Sequence, residues 1–538
     1  MNYADISRYN SRIIVFALIL ISGFLYLFFP TSVYVSDSLF YARAIEDLPV
    51  KSFWLTNPHH LMYALTAVPL FILARLLNPG VRAVYLLQFM NAIAGVFGII
   101  VFYNLIRKVL NNRQFALAGA LILGLSYGWW HFAVSAEPYA IINLLYSILF
   151  ASFYNLFLNT NFKNLIKSLL ILSVAVLYHQ VAVLLLLPLG VLLYNQPLPK
   201  KQRLAYCLFA FLFTGLITGL CYLITAVFIL RFNTLQDIFA WLLGYGKNFF
   251  SYKFNMEYLA HIFYGQFRAF WGGDFIKRLF LNGPSPALIF TAFIFLAGNI
   301  SVLAGIINII KSRKLLEGLR KVALLIFSWV GVNVLFSLFY EPSNFKFYTV
   351  NIVPLIFIFL ACMDNLPGKF RSGVILWMIV AAFFIVNFFG SVSFQKSPQN
   401  SDDYAYARFV HDKTDKGDLV LFPGVESNAH LYLDYFYQGD RDLRLMRYAL
   451  RNPVKLSADI KKHLSAGRKV YFIPETKIIS TGFFFKGYLK ISDKFGLSSP
   501  DINDFLSKNN FAFIPHERYC GGAGAYKGNS IYILKENR

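Results

Sequence analysis

Long apolar stretches, each broken by a short polar or basic interruption, run through the first 392 residues of the chain. A helix that crosses a bilayer needs roughly 20 apolar residues. On that measure the pattern predicts eleven crossings, at about 12–30, 83–106, 115–130, 138–158, 165–179, 180–195, 204–231, 286–310, 321–340, 348–363 and 372–392. A further apolar segment, 59–77, opens on His59-His60 and closes near Arg75. If it crossed, Arg107, Lys108 and Arg113 would change side and carry every later basic cluster with them, so it is read as an interfacial helix on the outer surface.

Past residue 393 the texture changes. Strand-like runs at 417–422, 469–473, 511–515 and 530–534 alternate with helix-like stretches at 402–414, 426–438 and 455–465, the last stopped by Ala466-Gly467. The expected fold class is a polytopic α-helical membrane protein with a C-terminal α/β domain outside the membrane. The expected domains are 1–392, with outer-face loops 31–82, 131–137, 232–283 and 341–347, and 393–538.

Composition agrees: 57% of residues are hydrophobic and 14% charged, which excludes a soluble protein. The formal net charge of +23 alone would suggest a nucleic-acid binder. The basic residues instead cluster between apolar runs, at Arg107-Lys108 with Arg113, Lys200-Lys201 with Arg203, Lys311 with Arg313-Lys314, and Lys369 with Arg371. That is the positive-inside pattern of a multi-pass protein, and no nucleic-acid partner is expected. The first run follows Arg8 and Arg12 without an Ala-x-Ala site, so it is expected to stay as an anchor with a cytoplasmic N-terminus. An odd number of crossings then puts the C-terminal domain outside. The region 232–283 is the exception, external yet rich in Lys and Arg; long loops translocate largely regardless of charge. The four cysteines have neither metal nor redox spacing.

Sixteen of the 27 acidic residues lie past residue 392, so the placement of the remaining eleven carries information. Eight of them, Asp37, Glu46, Asp47, Glu137, Asp237, Glu257, Asp274 and Glu341, fall at the outer end of the helices, as do His59, His60, His131, His179 and His261. Such a concentration at one end of a bundle points to an outward-facing site. Asp37 follows the first crossing, and Glu137 directly precedes a helix opening on Pro138. Helix capping would also account for an acid at position 137. Trp129-Trp130 fit interface anchors, and Trp271-Gly272-Gly273-Asp274 fits a turn with an aromatic anchor.

Asp37 with Tyr41-Ala42, Asn57-Pro58-His59-His60-Leu61-Met62-Tyr63 and Ala136-Glu137-Pro138-Tyr139, in that order, resemble the GT-C glycosyltransferases. The likeness is to the protein O-mannosyltransferase and lipid A aminoarabinose transferase-like members, with bacterial relatives of unassigned substrate. Tyr178-His179-Gln180 and Glu341-Pro342-Ser343-Asn344 look like that last group, and the resemblance covers about 1–390 in layout. It implies transfer of a sugar from a polyprenyl-phosphate donor to a protein, lipid or glycan acceptor at the outer leaflet of a bacterial inner membrane. Asp37 matches the first-loop carboxylate that acts on the acceptor as base or through a divalent metal, and Glu137 matches the second-loop acid. One departure stands out. Where the aminoarabinose transferases carry a Lys-Pro-Pro lysine against the donor phosphate, this chain has Asn57-Pro58-His59, leaving Arg43, His59, His60 and Lys346 as phosphate-binding candidates.

The chemistry suits these residues, because glycosyl transfer needs a carboxylate to orient or deprotonate a hydroxyl and cations to stabilise a leaving phosphate. His179, Glu341, Asn344 and Asp274 complete the expected site. A transporter or lipid-linked-sugar flippase is the main rival, but no internal repeat is visible and the acids gather at helix ends rather than mid-depth. An O-antigen ligase or polymerase would lean on Arg268 and Arg278 of the long loop. The Asn-x-Ser/Thr glycosylation match found, Asn299-Ile300-Ser301, lies within an expected helix, which favours a bacterial location over a eukaryotic secretory one.

Overall fold

A computed structural model of the chain describes residues 3–48, 53–244, 256–272, 307, 313–365, 373–422, 428–437, 441–473, 477–481, 487–491, 500–519 and 529–536. The expected helix 286–310 and Asp274 lie outside the described residues. The chain divides into two compact units, residues 1–30 with 44–393, and residues 31–43 with 394–538. The boundary near 393 appears where the sequence changes texture. The stretch 31–43, expected among the outer loops of the helical domain, groups instead with the C-terminal residues.

The first unit is helical. Among its described residues seven helices are long and apolar enough to cross a membrane: Pro58–Leu77, Ala83–Leu110, Tyr139–Leu158, Lys200–Ile229, Val322–Phe339, Phe345–Asp364 and Gly373–Gln395. Arg12–Phe28 and Gln180–Tyr194 are apolar but shorter. The expected helix 115–130 is two pieces, Arg113–Leu125 and Tyr127–Val134, bent by 60° at Ser126. The bend frees backbone groups that hydrocarbon would not tolerate, and the protein supplies partners. Asn387 Nδ2 donates to the Leu125 carbonyl at 2.7 Å and to the Phe270 carbonyl at 2.8 Å, while its Oδ1 accepts from the Gly272 amide at 2.8 Å.

Tyr127–Val134 can lie so deep because glycine lets its neighbours approach. A Cβ on Gly128 would meet Thr349 Cγ2 at 2.9 Å, and one on Gly98 would collide with the Trp129 ring. Trp129 and Trp130 are therefore core residues, 1% and 0% exposed, rather than interface anchors. Trp129 Nε1 donates to the Gly95 carbonyl at 3.2 Å, and the Trp130 ring stacks with Phe384 and Phe388. Sequence could not separate these uses, since an amphipathic ring suits an interface as well as a core that offers its N–H an acceptor. Trp271 is likewise packed, stacked on Phe383 with centroids 4.1 Å apart.

The second unit holds β1 (Leu419–Phe422), β2 (Asp442–Leu445), β3 (Val470–Phe472), β4 (Lys477–Thr481), β5 (Gly487–Ile491), β6 (Phe511–Arg518) and β7 (Ser530–Glu536). Five form a sheet in the order β2-β1-β3-β7-β6, parallel across β2-β1-β3 and antiparallel across β3-β7-β6, and β4 pairs with β5 as a separate hairpin. The helices Ala429–Phe436 and Pro453–Ser465 lie on the two crossovers, as parallel neighbours require. Gly467, at φ +72°, takes the left-handed conformation that ends the second of them. Leu419, Leu421, Leu456, Ile460, Val470, Phe472 and Leu534 form the core of this unit.

Candidate functional site

Glu137 is the centre of the helical unit's polar cluster. Its loop, between Val134 and Tyr139, is fixed by Asn91, whose Nδ2 donates to the Ser135 carbonyl at 2.8 Å and the Glu137 carbonyl at 2.6 Å. Tyr63 Oη accepts from the same amide at 3.2 Å, and Gln88 ties down the Val134 carbonyl at 2.9 Å. With its backbone held, the side chain is 1% exposed, and a carboxylate buried to that degree requires cations. Lys346 Nζ forms an ion pair with Oε2, and His131 Nε2 lies 3.7 Å from Oε1. Burial alone would raise the carboxyl's pKa; the Lys346 ammonium and His131 outweigh it and hold the group at about 2. Glu137 is an anion at any physiological pH.

Lys346 is delivered by the turn after the helix Arg313–Phe339. Glu341, at φ +46°, reverses the chain, and Asn344 Nδ2 donates to Glu341 Oε2 at 2.6 Å. Asn344 Oδ1 then accepts from the Lys346 amide at 3.2 Å and opens the 3-10 turn Phe345–Asn351. Glu341 and Asn344, expected in the site, therefore build the turn that presents Lys346. The ammonium also lies over the Tyr139 ring, 5.4 Å from its centroid.

Asn57 caps the short turn Pro58–His60 by accepting the His59 amide at 3.0 Å. That turn is braced by Tyr222 Oη on the Pro58 carbonyl, 2.9 Å, and Trp241 Nε1 on the Thr56 carbonyl, 3.1 Å. His60 Nδ1 donates to the Tyr178 carbonyl at 2.9 Å, which fixes its tautomer. Its ring meets His179 edge to face at 4.8 Å and Tyr139 at 5.7 Å, and Tyr139 meets His179 at 5.6 Å. His179 Nδ1 accepts from the Val181 amide at 3.2 Å, so this histidine also caps the turn that follows it. A small open cleft is lined by Tyr139, Tyr146, His179, Asn333, Lys346 and Phe347, among others.

The structure thus joins Glu137, Lys346, His60 and His179, four of the expected residues, around Tyr139, with His59 next to them on the same turn. Tyr139 stood in the Ala136-Glu137-Pro138-Tyr139 motif without being named a site residue, and Tyr146 passed unremarked, because aromatic residues are common throughout the helices. His131 was visible as an outer-face histidine, and its position six residues before Glu137 on an interrupted helix is the signal that ties the two together. Asp37 and Arg43 belong to the other unit, in the first and last turns of the helix Ser36–Glu46. For a divalent metal the fit of Glu137 is poor, since both carboxylate oxygens already face cationic or proton-bearing nitrogens. Among the described residues no group of three His, Cys, Asp or Glu is gathered to hold a metal.

Neither a family model nor a curated protein sequence matches the chain. Solved structures do. A crystal structure of ArnT from Cupriavidus metallidurans bound to undecaprenyl phosphate matches with a TM-score of 0.54 at 12% identity, over 97% of this chain and 98% of that one. The apo structure of the same protein matches with a TM-score of 0.53 at 11% identity, over 98% of each chain. At such identity the likeness concerns the fold alone, which this chain shares with that protein over nearly its whole length.

Proposed function

We propose that this ArnT-like fold is a polyprenyl-phosphate-dependent glycosyltransferase, acting at the outer face of a bacterial inner membrane on an acceptor hydroxyl. The observation that carries the reading is the buried Glu137–Lys346 pair beside an aromatic- and histidine-lined cleft. The undecaprenyl phosphate named for one matched structure supports the donor class.

In the proposed reaction the acceptor oxygen bonds to the anomeric carbon while the sugar–phosphate C–O bond breaks. The acceptor proton passes to a carboxylate, for which Asp37 is the candidate by its motif. The phosphodiester leaves as polyprenyl monophosphate with one more negative charge, and Lys346, with His59, His60 and Arg43, is suited to stabilise that charge. Glu137 keeps the ammonium oriented and ionised in an apolar surrounding. No step here requires a metal.

A shared side for the first loop and the C-terminal domain, though not which side that is, has support in a contact between them. Tyr432 of the C-terminal domain meets Tyr34 of the first loop, so the two lie on one side of a membrane and an even number of crossings separates them. The sequence supplies ten other candidate crossings in that interval, which favours 59–77 lying along the surface.

The test is to supply purified protein in nanodiscs with polyprenyl-phosphate sugars and follow polyprenyl monophosphate by mass spectrometry. Release by wild type and its loss in Asp37→Asn is the expected result. Absence of release with every donor identified from lipids that accumulate in a deletion strain would overturn the reading.

A further inference from the structure

The stretch that leads into Asp37 is bound to the far end of the chain. The Ser32 amide donates to the Gln395 carbonyl at 2.8 Å, and Ser32 Oγ donates to the Lys396 carbonyl at 2.8 Å. Beyond this pair of contacts lies a single hydroxyl with unusually many neighbours. Tyr432 Oη accepts the Tyr34 amide and faces the Tyr34 carbonyl at 3.2 Å and the Ser32 carbonyl at 3.3 Å; Ser401 Oγ is 3.4 Å away. Its one proton serves the two carbonyls while its lone pairs take the amide and the serine.

Packing reinforces the bonds. Tyr432 is fully buried and Tyr34 is 5% exposed. The Tyr34 ring lies 6.0 Å from Tyr432 and 5.8 Å from Phe436, and Tyr404 closes on Tyr432 at 5.9 Å. Two residues after Tyr34 begins the helix Ser36–Glu46, with Asp37 in its first turn. The other end of that helix is fixed separately, by Glu46. Its Oε1 accepts from Arg82 Nε at 3.0 Å and from the Ala83 amide at 2.7 Å, at the start of Ala83–Leu110. The residues next to the first turn of this 11-residue helix are thus held by C-terminal residues of the same unit, which leaves the carboxylate there little freedom.

We propose that the C-terminal domain positions the first-loop acid for transfer, with Tyr432 as the positioning residue for Asp37. The proposal rests on the glycosyltransferase reading and assigns the domain a task other than recognition of the acceptor. Preorganisation is where its effect belongs: a catalytic group displaced by about 1 Å can lose on the order of 10²-fold in rate while substrate binding persists.

Tyr432→Phe keeps the buried ring and removes the hydroxyl; Tyr34→Leu removes the ring partner from the other side. Each full-length variant in nanodiscs is to be examined by amide hydrogen exchange over residues 33–41, by thermal unfolding and by steady-state kinetics. The expected result for Tyr432→Phe is exchange at least tenfold faster in 33–41, an unchanged melting temperature, a kcat lowered by about tenfold or more and an unchanged KM for the lipid donor. Unchanged exchange in 33–41 in both variants would overturn the proposal, as would faster exchange with wild-type kcat. Asp37→Asn separates this from failure of the functional reading: if it turns over normally, Asp37 is not the base and the reading fails, while the exchange data alone decide whether the domain holds the loop.

Discussion

The two acids that the sequence singles out are held in opposite ways. Glu137 is a buried anion locked between Lys346 and His131 within one unit, its backbone fixed by Asn91. Asp37 is half-buried, on the first turn of a helix whose start belongs to one unit and whose last residues belong to the other. The first arrangement sets a field and changes little during a reaction. The second brings a carboxylate to a position that depends on structure elsewhere in the chain. A loop acid of either kind looks the same in sequence; under the proposed function the two take different tasks, electrostatic support for Glu137 and proton transfer for Asp37.

The largest expected effect is on turnover: Asp37→Asn lowers kcat by 10²-fold or more, because an essential base is lost, with donor affinity preserved. Donor affinity lost together with turnover would erase the distinction between the two acids. Next comes stability. Lys346→Ala strands a buried carboxylate and costs about 3–5 kcal/mol, and the double variant Lys346→Ala/Glu137→Gln recovers much of it. Denaturation of both in one detergent measures the difference, and equal destabilisation would show that the pair does not act as a unit. Truncating His60 weakens polyprenyl-phosphate binding by about tenfold, the equivalent of 1.4 kcal/mol, and Glu137→Gln, which releases the Lys346 ammonium from its partner, weakens it as well, whereas Asp37→Asn leaves it unchanged. Titration of a fluorescent polyprenyl phosphate separates them. The smallest effect is on pH. Glu137 ionises at about 2 in the fold against an ordinary 4.5, so the stability it adds is complete above pH 4.5 and is lost as pH falls toward 2. The difference in unfolding free energy between wild type and Glu137→Gln is expected to stay flat from pH 5 to 8 and to shrink below about pH 4. A change near neutral pH would mean that Glu137 is not held as an anion.

What sequence could reveal follows from how local each signal is. β1, β3, β6 and β7 and the helices Asp402–Lys413, Ala429–Phe436 and Pro453–Ser465 were legible, because apolar runs of strand length and an Ala-Gly stop act within a few residues, while the helix Pro500–Asn509 was not. β2, an edge strand reading Asp-Leu-Arg-Leu, and the β4-β5 hairpin were not, for they take their order from neighbours. In the site, Glu137 and Lys346 were each visible as an isolated charge, but their pairing spans two distant loops and no pattern announces it. The same holds for Asp37: its motif identified it, while its attachment to Tyr432 depends on residues near the other end of the chain. Trp129 and Trp130 mark the opposite failure, where a sound general rule for tryptophan gave way to two glycines that make room for it.

The Tyr34–Tyr432 contact also sets a schedule for biogenesis. Tyr34 and Tyr432 are separated by 398 positions, so at roughly 5–20 residues per second the first loop waits about 20–80 s for its partner to be synthesised. Throughout that interval the helix carrying Asp37 has only its Glu46 end secured. On the proposed reading, a nascent or truncated chain lacking residues 394–538 inserts its helices with the acid unplaced, and competence for transfer arrives last. For the same reason a chimera that exchanges the C-terminal domain between homologues needs residues 31–43 to travel with it.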